Sequence, residues 1–399
     1  MKTIKTDILI LGGGLGGYEA YRSLVKQFAL KKIKKQITLV DKNDYFSFIP
    51  LLHEVAAGSI SPNHTQINLY ELLQGTPHTF VQTSVQSIDP EKKKVTTEKG
   101  IFTYDYCIVA LGSTVNYFGI PGAEEYCKPV RTYDHAVELQ KTLQETLRIS
   151  YERPVTINII GGGYTGIEIA GQVHEVVDVH KHKNRKIHPI QVNIIEGAGT
   201  ILGLLPEKVQ KTITRVLKKS GVVIYTGKKV ARVNPDSIVL EDGSIVPNSL
   251  AIWSGGVKNV ADGLLPATYT EKGRIPTTPQ LTHPNDSSLY AIGDISLAKN
   301  TMGQPIPQLG EAAHREGEYV AVHLATRLTS KKPFNTPFNF TSKGTLIPVG
   351  SRFGAAVIGP FIFFGALAWY LRRIVYLMFI PGLKNKLHII IDWTLRRYR

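Results

Sequence analysis

Glycines at one fixed spacing occur at two places in the chain. The two sets are Gly12, Gly14 and Gly17, and Gly161, Gly163 and Gly166. Each set follows a β-branched apolar run and precedes a helical pattern. A turn of this GxGxxG kind brings backbone N–H groups and a helix N-terminus close to a pyrophosphate, and it needs glycine because the turn is tight. Two copies predict two dinucleotide-binding folds in one chain.

An acidic residue closes the next predicted strand after each turn. Asp41 follows the first turn at close to the offset of about 20 residues that a ribose-binding carboxylate has. Glu196 follows the second turn at a longer offset, because the basic segment 180–188 lengthens the connection. A carboxylate here accepts hydrogen bonds from ribose hydroxyls and repels a 2′-phosphate. Glu196 therefore favours NADH, although nearby basic residues such as Lys186 leave NADPH open.

Composition narrows the classes of partner and chemistry. The net charge of +15 favours phosphate-bearing partners, but no zinc-finger, RNP or helix-turn-helix pattern accompanies it, so we expect no nucleic acid. The two cysteines, Cys107 and Cys127, are too far apart for a CxxC pair. We therefore predict neither a metal site nor dithiol chemistry. The first residues predict a strand instead of a signal peptide, which favours a cytoplasmic location.

Two later segments complete the first nucleotide fold. Ala110 and Gly112 follow a buried strand, and Gly293 and Asp294 end another. The stretch that follows has helical spacing to about residue 328, and Pro307 suits its first position. The positive end of that helix would point at the bound cofactor. The predicted fold class is α/β, with two Rossmann-like dinucleotide-binding domains and a C-terminal membrane-binding α/β segment.

These segments together resemble those of the pyridine nucleotide-disulfide reductase-like flavoproteins. The resemblance implies that the first nucleotide is FAD and that the second is NADH. The FAD residues would be Gly12, Gly14, Gly17, Asp41, Lys42, Ala110, Gly112, Gly293 and Asp294. The NADH residues would be Gly161, Gly163, Gly166, Glu196, Gly255 and Gly256.

Within that group the chain resembles the type II NADH:quinone oxidoreductases, also called type II NADH dehydrogenases. The resemblance is carried by residues 48–58, 163–171, 252–257 and 342–344 and by an aromatic, basic C-terminus. It implies FAD-dependent oxidation of NADH and two-electron reduction of a membrane quinone by a respiratory enzyme that pumps no protons. It also assigns Glu168 a place beside the flavin and Lys343 to the catalytic residues. Glu168 could alternatively be an exposed glutamate in the first turn of a helix.

One segment departs from the family. The quinone segment usually reads Ala-Gln-x-Ala-x-Gln-x-Gly, whereas here Glu311 and Arg315 stand in place of both glutamines. Their i and i+4 spacing allows an ion pair on one helix face. Arg315 would then stabilise an anion of the bound quinol, and Glu311 would deliver a proton. A surface ion pair that contributes little is the alternative.

The C-terminus carries an apolar stretch and then two aromatic, basic segments. Residues 353–371 are uncharged, but Gly359 and Pro360 favour a hairpin of two buried strands over a transmembrane helix. Two helices separated by Pro381 are predicted to lie in the head-group plane of an anionic membrane, as a monotopic anchor at the cytoplasmic face. Their interfacial residues would be Trp369, Tyr370, Tyr376, Trp393, Tyr398, Arg372, Arg373, Lys384, Lys386, Arg396 and Arg397. A docking helix or a homodimer interface is the alternative.

The predicted organisation is a discontinuous FAD domain with the NADH domain inserted in it. Residues 1–118 and 277–340 form the FAD domain, residues 119–276 the NADH domain, and residues 341–399 the membrane anchor and quinone-site region. Three other functions fit parts of the pattern. They are a sulfide:quinone oxidoreductase, which needs a cysteine pair, a soluble NADH-dependent reductase of a small redox protein, and a non-catalytic NADH sensor.

Overall fold

A computed structural model describes residues 2–184, 186–330, 334–350, 352–380 and 382–395. The chain forms two compact units, each discontinuous in sequence. The first unit consists of Met1–Ser47, Gln66–Thr114 and Val257–Ser342, and the second of Phe48–Thr65, Val115–Gly256 and Lys343–Arg399. The predicted functional boundaries at residues 118, 276 and 340 stay a prediction, because compactness alone does not assign a cofactor to a unit.

Strands and helices alternate around the two glycine turns, whereas residues 79–115 and 223–297 contain strands without an α-helix between them. The strands are β1 (Thr3–Leu11), β2 (Ile37–Asp41), β3 (Tyr45–Ser47), β4 (Gln66–Asn68), β5 (Thr79–Gln82), β6 (Val85–Asp89), β7 (Lys94–Thr97), β8 (Gly100–Val109), β9 (Ser113–Val115), β10 (Cys127–Pro129), β11 (Val155–Ile160), β12 (Ile190–Glu196), β13 (Val223–Thr226), β14 (Val230–Val233), β15 (Ser237–Leu240), β16 (Ile245–Pro247), β17 (Leu250–Trp253), β18 (Val257–Asn259), β19 (Ile275–Pro276), β20 (Thr282–His283), β21 (Asp286–Ala291), β22 (Ser296–Leu297), β23 (Thr345–Pro348), β24 (Gly354–Ile358) and β25 (Phe361–Gly365).

The helices are α1 (Leu15–Lys31), α2 (Leu52–Ala56), α3 (Leu69–Leu73), α4 (Ala123–Tyr126), α5 (Tyr133–Ile149), α6 (Tyr164–Lys183), α7 (Glu207–Lys219), α8 (Gly310–Thr329), α9 (Ala366–Phe379) and α10 (Leu383–Leu395). Short 3₁₀ turns lie at Ile49–Leu51, Pro62–Thr65, Ala267–Tyr269 and Gly293–Ile295.

The first unit is built on a sheet whose strand order is β20-β21-β8-β1-β2-β5, with the β6–β7 hairpin attached to β8. Strand β1 pairs in parallel with both β2 and β8, and β8 pairs in parallel with β21. Residues 8–11 of β1 are fully buried, as expected for a parallel strand covered on both faces. Since the carboxyl ends of parallel strands share one edge, Gly12, Ala110 and Gly293, which follow strands, and Asp41, which ends one, all lie at that edge.

The second unit repeats this plan in a parallel sheet of order β10-β17-β11-β12-β13. Strand β11 pairs with β17 and β12, so that Gly161, Glu196 and Ser254 lie at their carboxyl ends. An antiparallel sheet of β23, β24 and β25 carries α9 on one face. Helix α2 packs against α5 and α6, and α10 packs against the turn at Pro62–Thr65.

Two local predictions differ from the structure. Helix α8 begins at Gly310, so the prediction that Pro307 occupies its first position is wrong. The segment before α8 stays extended because the Gln308 side chain donates hydrogen bonds to the Asp294 carbonyl and to Asn259. The predicted hairpin is present, but its second strand is not buried: Phe361 is 63% exposed, and β25 is an edge strand of its sheet. Among the described residues, no helix has the length and apolar character needed to cross a bilayer.

Candidate functional site

The first glycine turn joins β1 to α1 and is closely packed on one side. Gly12 has φ +101°, and a Cβ there would lie 2.4 Å from the carbonyl oxygen of Ala110. A Cβ on Gly17 would lie 1.8 Å from the carbonyl oxygen of Gly12. Gly14, the residue before α1, has no atom within 4 Å of such a Cβ. The turn thus needs glycine for packing at two positions and leaves its backbone open at the third.

The second turn, between β11 and α6, has the same construction. Gly161 has φ +110°, and a Cβ there would lie 2.8 Å from the carbonyl group of Ser254. A Cβ on Gly166 would lie 1.9 Å from the carbonyl oxygen of Gly161, whereas Gly163 faces open space. Both turns therefore offer an approachable backbone at a helix N-terminus, which is the arrangement that binds a pyrophosphate.

The two strand-end acids are held in the same way. Asp41 Oδ2 accepts the N–H of Gly13 at 2.5 Å, and Glu196 Oε2 accepts the N–H of Gly162 at 2.6 Å. The other oxygen of each carboxylate accepts the backbone N–H two residues further on. Burial raises the pKa of Asp41. Each carboxylate oxygen retains a lone pair, so both acids can still accept a ribose hydroxyl.

The Gly293–Asp294 turn is held by two side chains. Asp294 Oδ2 accepts the hydroxyl of Ser113 at 2.6 Å, and the N–H of Gly293 donates to Glu316 Oε2 at 2.5 Å. Glu316 is buried in α8, and this burial raises its pKa to about 8. Gly112 has φ +70° and open space beside it. Sequence reasoning missed Glu316, although it adjoins Arg315 in the segment that departs from the family.

Gly255 and Gly256 follow β17 and lie against aromatic rings. A Cβ on Gly255 would lie 2.9 Å from the indole of Trp253, and one on Gly256 would lie 2.8 Å from the ring of Phe118. The Trp253 indole donates to the carbonyl of Asn116 at 2.9 Å, which fixes the ring. Packing against these rings therefore requires glycine at both positions.

Glu311 and Arg315 form the ion pair that their spacing predicts. Arg315 Nη2 lies 3.0 Å from Glu311 Oε1, and both side chains are about a quarter exposed. The Ser342 hydroxyl donates to Glu311 Oε2 at 3.1 Å, and the guanidinium lies 5.8 Å from the ring centroid of Phe340. The pair is thus held on two sides. Lys42 and Lys343, which the resemblance also named, are exposed.

Glu168 is not an exposed first-turn glutamate. Its side chain in α6 is only 15% exposed and lies 3.7 Å from His53 Nδ1 and 3.8 Å from Arg372 Nη2. Burial raises the pKa of Glu168 to about 7, a shift that the Arg372 charge opposes and the Glu54 charge increases. A carboxyl group with this pKa exchanges its proton near neutral pH.

The predicted position of Arg372 is wrong. This residue was predicted to face lipid head groups, but its side chain is 2% exposed and its Nη1 donates to Glu54 Oε1 at 2.8 Å. The indole of Trp393 donates to Glu54 Oε2 at 2.7 Å. Sequence reasoning did not assign roles to His53 and Glu54, although both lie in the segment 48–58 that carried the family resemblance.

The C-terminal helices leave an apolar surface uncovered. Their side chains that are more than half exposed are Leu367, Tyr370, Ile374, Met378, Leu383, Leu387 and Leu395. Trp369 is buried, and Arg373 lies over the rings of Trp369 and Trp393 at 3.5 and 4.6 Å from their centroids. Lys384 is exposed. Arg396, Arg397 and Tyr398 lie outside the described residues.

Both cysteines are buried, free thiols. Burial raises the pKa of Cys107, and it raises that of Cys127 to about 12. Since the thiolate is the reactive form, neither residue has the environment of a redox-active cysteine. This weighs against a sulfide:quinone oxidoreductase.

Comparison with known proteins gives the following likenesses. A sequence model of the family described as pyridine nucleotide-disulphide oxidoreductase matches residues 6–317. The chain is 26% identical over 411 residues to the demethylphylloquinone reductase NdbB of Synechocystis sp., which covers 99% of this chain and 97% of that protein. It is 27% identical over 420 residues to the type II NADH:quinone oxidoreductase Ndh of Mycobacterium tuberculosis, with 97% and 87% covered.

Solved structures are similar over almost the whole chain. NDH2 from Plasmodium falciparum, in complex with NADH, superposes with a TM-score of 0.88 at 19% identity and covers 99% of each chain. The sulfide:quinone oxidoreductase of Aquifex aeolicus superposes with a TM-score of 0.76 at 19% identity, covering 98% and 96%. The predicted α/β fold class with two Rossmann-like domains and the resemblance to type II NADH:quinone oxidoreductases are confirmed. Membrane binding by the C-terminal segment stays a prediction.

Proposed function

The chain belongs to the pyridine nucleotide-disulphide oxidoreductase family, and on this premise we propose that it is a non-proton-pumping NADH:quinone oxidoreductase that uses FAD. The observation that carries the proposal is the duplicated turn, in which an open glycine backbone faces a carboxylate hydrogen-bonded to the turn itself. The relatives named as quinone reductases match this chain over nearly its full length.

The first turn fits FAD. The open backbone at Gly14 would bind the pyrophosphate, and Asp41 would accept the ribose hydroxyls. Asp294, with Gly293, would hold the ribityl region, and Ala110 and Gly112 would let the chain pass close to the cofactor. Bound FAD supplies the hydride acceptance and electron transfer that no side chain can perform.

The second turn fits NADH better than NADPH. Glu196 points at the turn through its bond to Gly162, so a 2′-phosphate would meet a carboxylate there. Gly255 and Gly256, which carry no side chain, would let the nicotinamide approach the backbone after β17.

We propose that quinone reduction involves the side chains of Glu168, Glu311, Arg315 and Lys343. Glu168 has the pKa of about 7 that suits a group which holds a proton and releases it at neutral pH. Arg315 would stabilise negative charge on the quinone oxygen, and Glu311 would keep the guanidinium oriented through their 3.0 Å contact.

We also propose that the apolar surface of α9 and α10 lies on an anionic lipid membrane at the cytoplasmic face, where a lipid-soluble quinone is available. Seven exposed apolar or aromatic side chains on two short helices, with Lys384 beside them, suit a helix pair in the head-group plane. A homodimer stays a prediction.

One set of measurements tests the function. The purified protein should be yellow, NADH should bleach its absorbance anaerobically, and a soluble quinone should restore it. NADPH should bleach it at least about tenfold more slowly, because of Glu196. Glu196→Gln should reduce that preference, whereas Glu241→Gln, an exposed acid paired with Lys229, should leave it unchanged. A colourless protein that binds no FAD, or equal rates with NADH and NADPH, would contradict the proposal.

A further inference from the structure

His53 lies between an acid and a base inside the second unit. Its side chain, in α2, is 3% exposed. On one side its Nε2 lies 3.1 Å from Nη2 of Arg372, and on the other its Nδ1 lies 3.7 Å from Oε2 of Glu168. The ring therefore lies beside both the α9 guanidinium and the α6 carboxyl group, which are themselves 3.8 Å apart.

The contact with Arg372 determines which ring nitrogen carries the proton. A guanidinium group only donates hydrogen bonds, so His53 Nε2 must accept and carries no proton. A neutral imidazole has a single N–H, which must then be on Nδ1, the nitrogen that faces Glu168. Burial and the Arg372 charge lower the pKa of His53 to about 3, so the ring is neutral at pH 7.

Arg372 is itself held from several directions. It donates to Glu54 at 2.8 Å and to the carbonyl of Pro50 at 3.0 Å, and its guanidinium lies 4.3 Å from the ring centroid of Tyr376. Glu54 accepts a further bond from Trp393 of α10. Both C-terminal helices therefore contribute to the position of the guanidinium that contacts the histidine.

We propose that His53 is a positioning residue: Arg372, held by Glu54 and the C-terminal helices, keeps it in the tautomer that presents Nδ1–H to Glu168. The proposal rests on the proposed function only in that Glu168 serves quinone reduction. The charged and titratable groups facing Glu168 are His53 and Glu54 of α2 and Arg372 and Tyr376 of α9. A donor beside a carboxylate favours its charged form, so the histidine assists Arg372 in opposing the effects of burial and Glu54.

Two substitutions of His53 distinguish the roles of its two ring nitrogens. His53→Asn places an amide N–H close to the position of Nδ1, whereas His53→Gln reaches the position of Nε2. The protonation of Glu168 would be followed in the holoenzyme as its carboxyl infrared band against pH, with the band assigned through Glu168→Gln. We expect His53→Asn to retain the apparent pKa of Glu168. We expect His53→Gln to raise it by about one unit, a tenfold change in the protonation equilibrium. Equal shifts in both variants, or no shift in His53→Gln, would refute the proposal.

The unsubstituted holoenzyme allows a second measurement, in which a variant serves only to assign the signal. Nitrogen-15 NMR of labelled histidine distinguishes the two tautomers, and the His53 signal is the one missing in His53→Asn. We expect an Nδ1–H signal at pH 7, and a ring protonated at Nε2 would overturn the assignment. If Glu168→Gln reduces quinone as fast as the unsubstituted enzyme, the proposed role of Glu168 fails while the tautomer result still stands.

Discussion

Replacing Arg372 by methionine tests the buried ion pair between α9 and α2. The substitution keeps much of the side-chain volume but removes the charge that neutralises Glu54 at 2.8 Å. Glu54 is then left as a buried carboxylate that accepts the indole N–H of Trp393 and lies 3.7 Å from the ring of His53. We expect a large loss of stability at pH 7, because a buried charge without its counter-ion is costly.

The size of the stability loss follows from the cost of neutralising the Glu54 carboxylate. It can take up a proton, which at pH 7 costs roughly 3 kcal/mol for a group with an ordinary pKa of 4.5. The lost contact between the guanidinium and the ring of Tyr376 adds about 1 kcal/mol. The total, about 4 kcal/mol, lies within the range of about 3–5 kcal/mol found when one partner of a buried pair is removed.

The pH dependence has a definite sign. Arg372 lowers the pKa of Glu54 in the folded protein, so the pair contributes stability above the ordinary pKa and loses it as pH falls through the lowered value. In Arg372→Met that pKa rises instead. The deficit of the variant should therefore shrink as the pH is lowered from 8 towards about 5.

Denaturant unfolding followed by tryptophan fluorescence is a suitable assay, because two of the three tryptophans, Trp369 and Trp393, lie in the C-terminal helices. Adding Glu54→Gln to Arg372→Met should recover at least half of the loss, since the carboxylate that Arg372 contacts at 2.8 Å is then replaced by a neutral amide. Lys384→Met, at an exposed basic position of α10, should change stability by less than about 0.5 kcal/mol. A cost below about 1 kcal/mol for Arg372→Met, or no recovery in the double variant, would refute the reasoning.

Three further predictions concern the turn, the acid in α8 and the apolar surface. Gly17→Ala should weaken FAD binding by at least about tenfold, because its Cβ would lie 1.8 Å from a carbonyl oxygen of the turn; binding is measured as flavin absorbance per protein. The control Gly199→Ala, whose Cβ would lie in open space, should retain FAD. Burial raises the pKa of Glu316 to about 8, so the folded protein holds a proton that the unfolded chain loses, and the melting temperature should fall as pH rises from 5 to 8. Glu316→Gln should make this decline less steep, and an unchanged slope would contradict the prediction. Leu383→Asp should reduce sedimentation with anionic vesicles at least about tenfold, whereas Leu204→Asp, at a more exposed leucine outside α9 and α10, should not. Equal losses would argue against a lipid-binding surface.

The two nucleotide turns could be predicted from the sequence because their requirements are local. The spacing of Gly12, Gly14 and Gly17 predicts a tight turn with an approachable backbone. In the structure a Cβ on Gly12 or Gly17 would collide with the turn, and the backbone at Gly14 is open. Strand periodicity likewise predicted that Asp41 and Glu196 end strands beside these turns. The Glu311–Arg315 pair followed from helical geometry alone, as partners four residues apart share one face.

The start of α8 and the exposure of the last hairpin strand could not be predicted from the sequence, because both depend on residues outside the segment concerned. Gln308 keeps the segment before α8 extended through bonds to Asn259 and Asp294, residues distant in sequence. Phe361 is as apolar as a core residue, but it lies on an edge strand of its sheet and remains exposed.

The sequence by itself determined the two nucleotide folds, the cofactor class and the aromatic, basic character of the C-terminus. Only the tertiary structure decided that Arg372 turns inward to Glu54, a residue 318 positions away, and that Glu168 is buried beside them. The α10 residue Asp392 is likewise buried, accepting the N–H of Ser61 at 3.0 Å. The physical reason is that a charge is stable inside a protein only where packing brings it a partner, and a one-dimensional pattern does not specify which distant residue that will be.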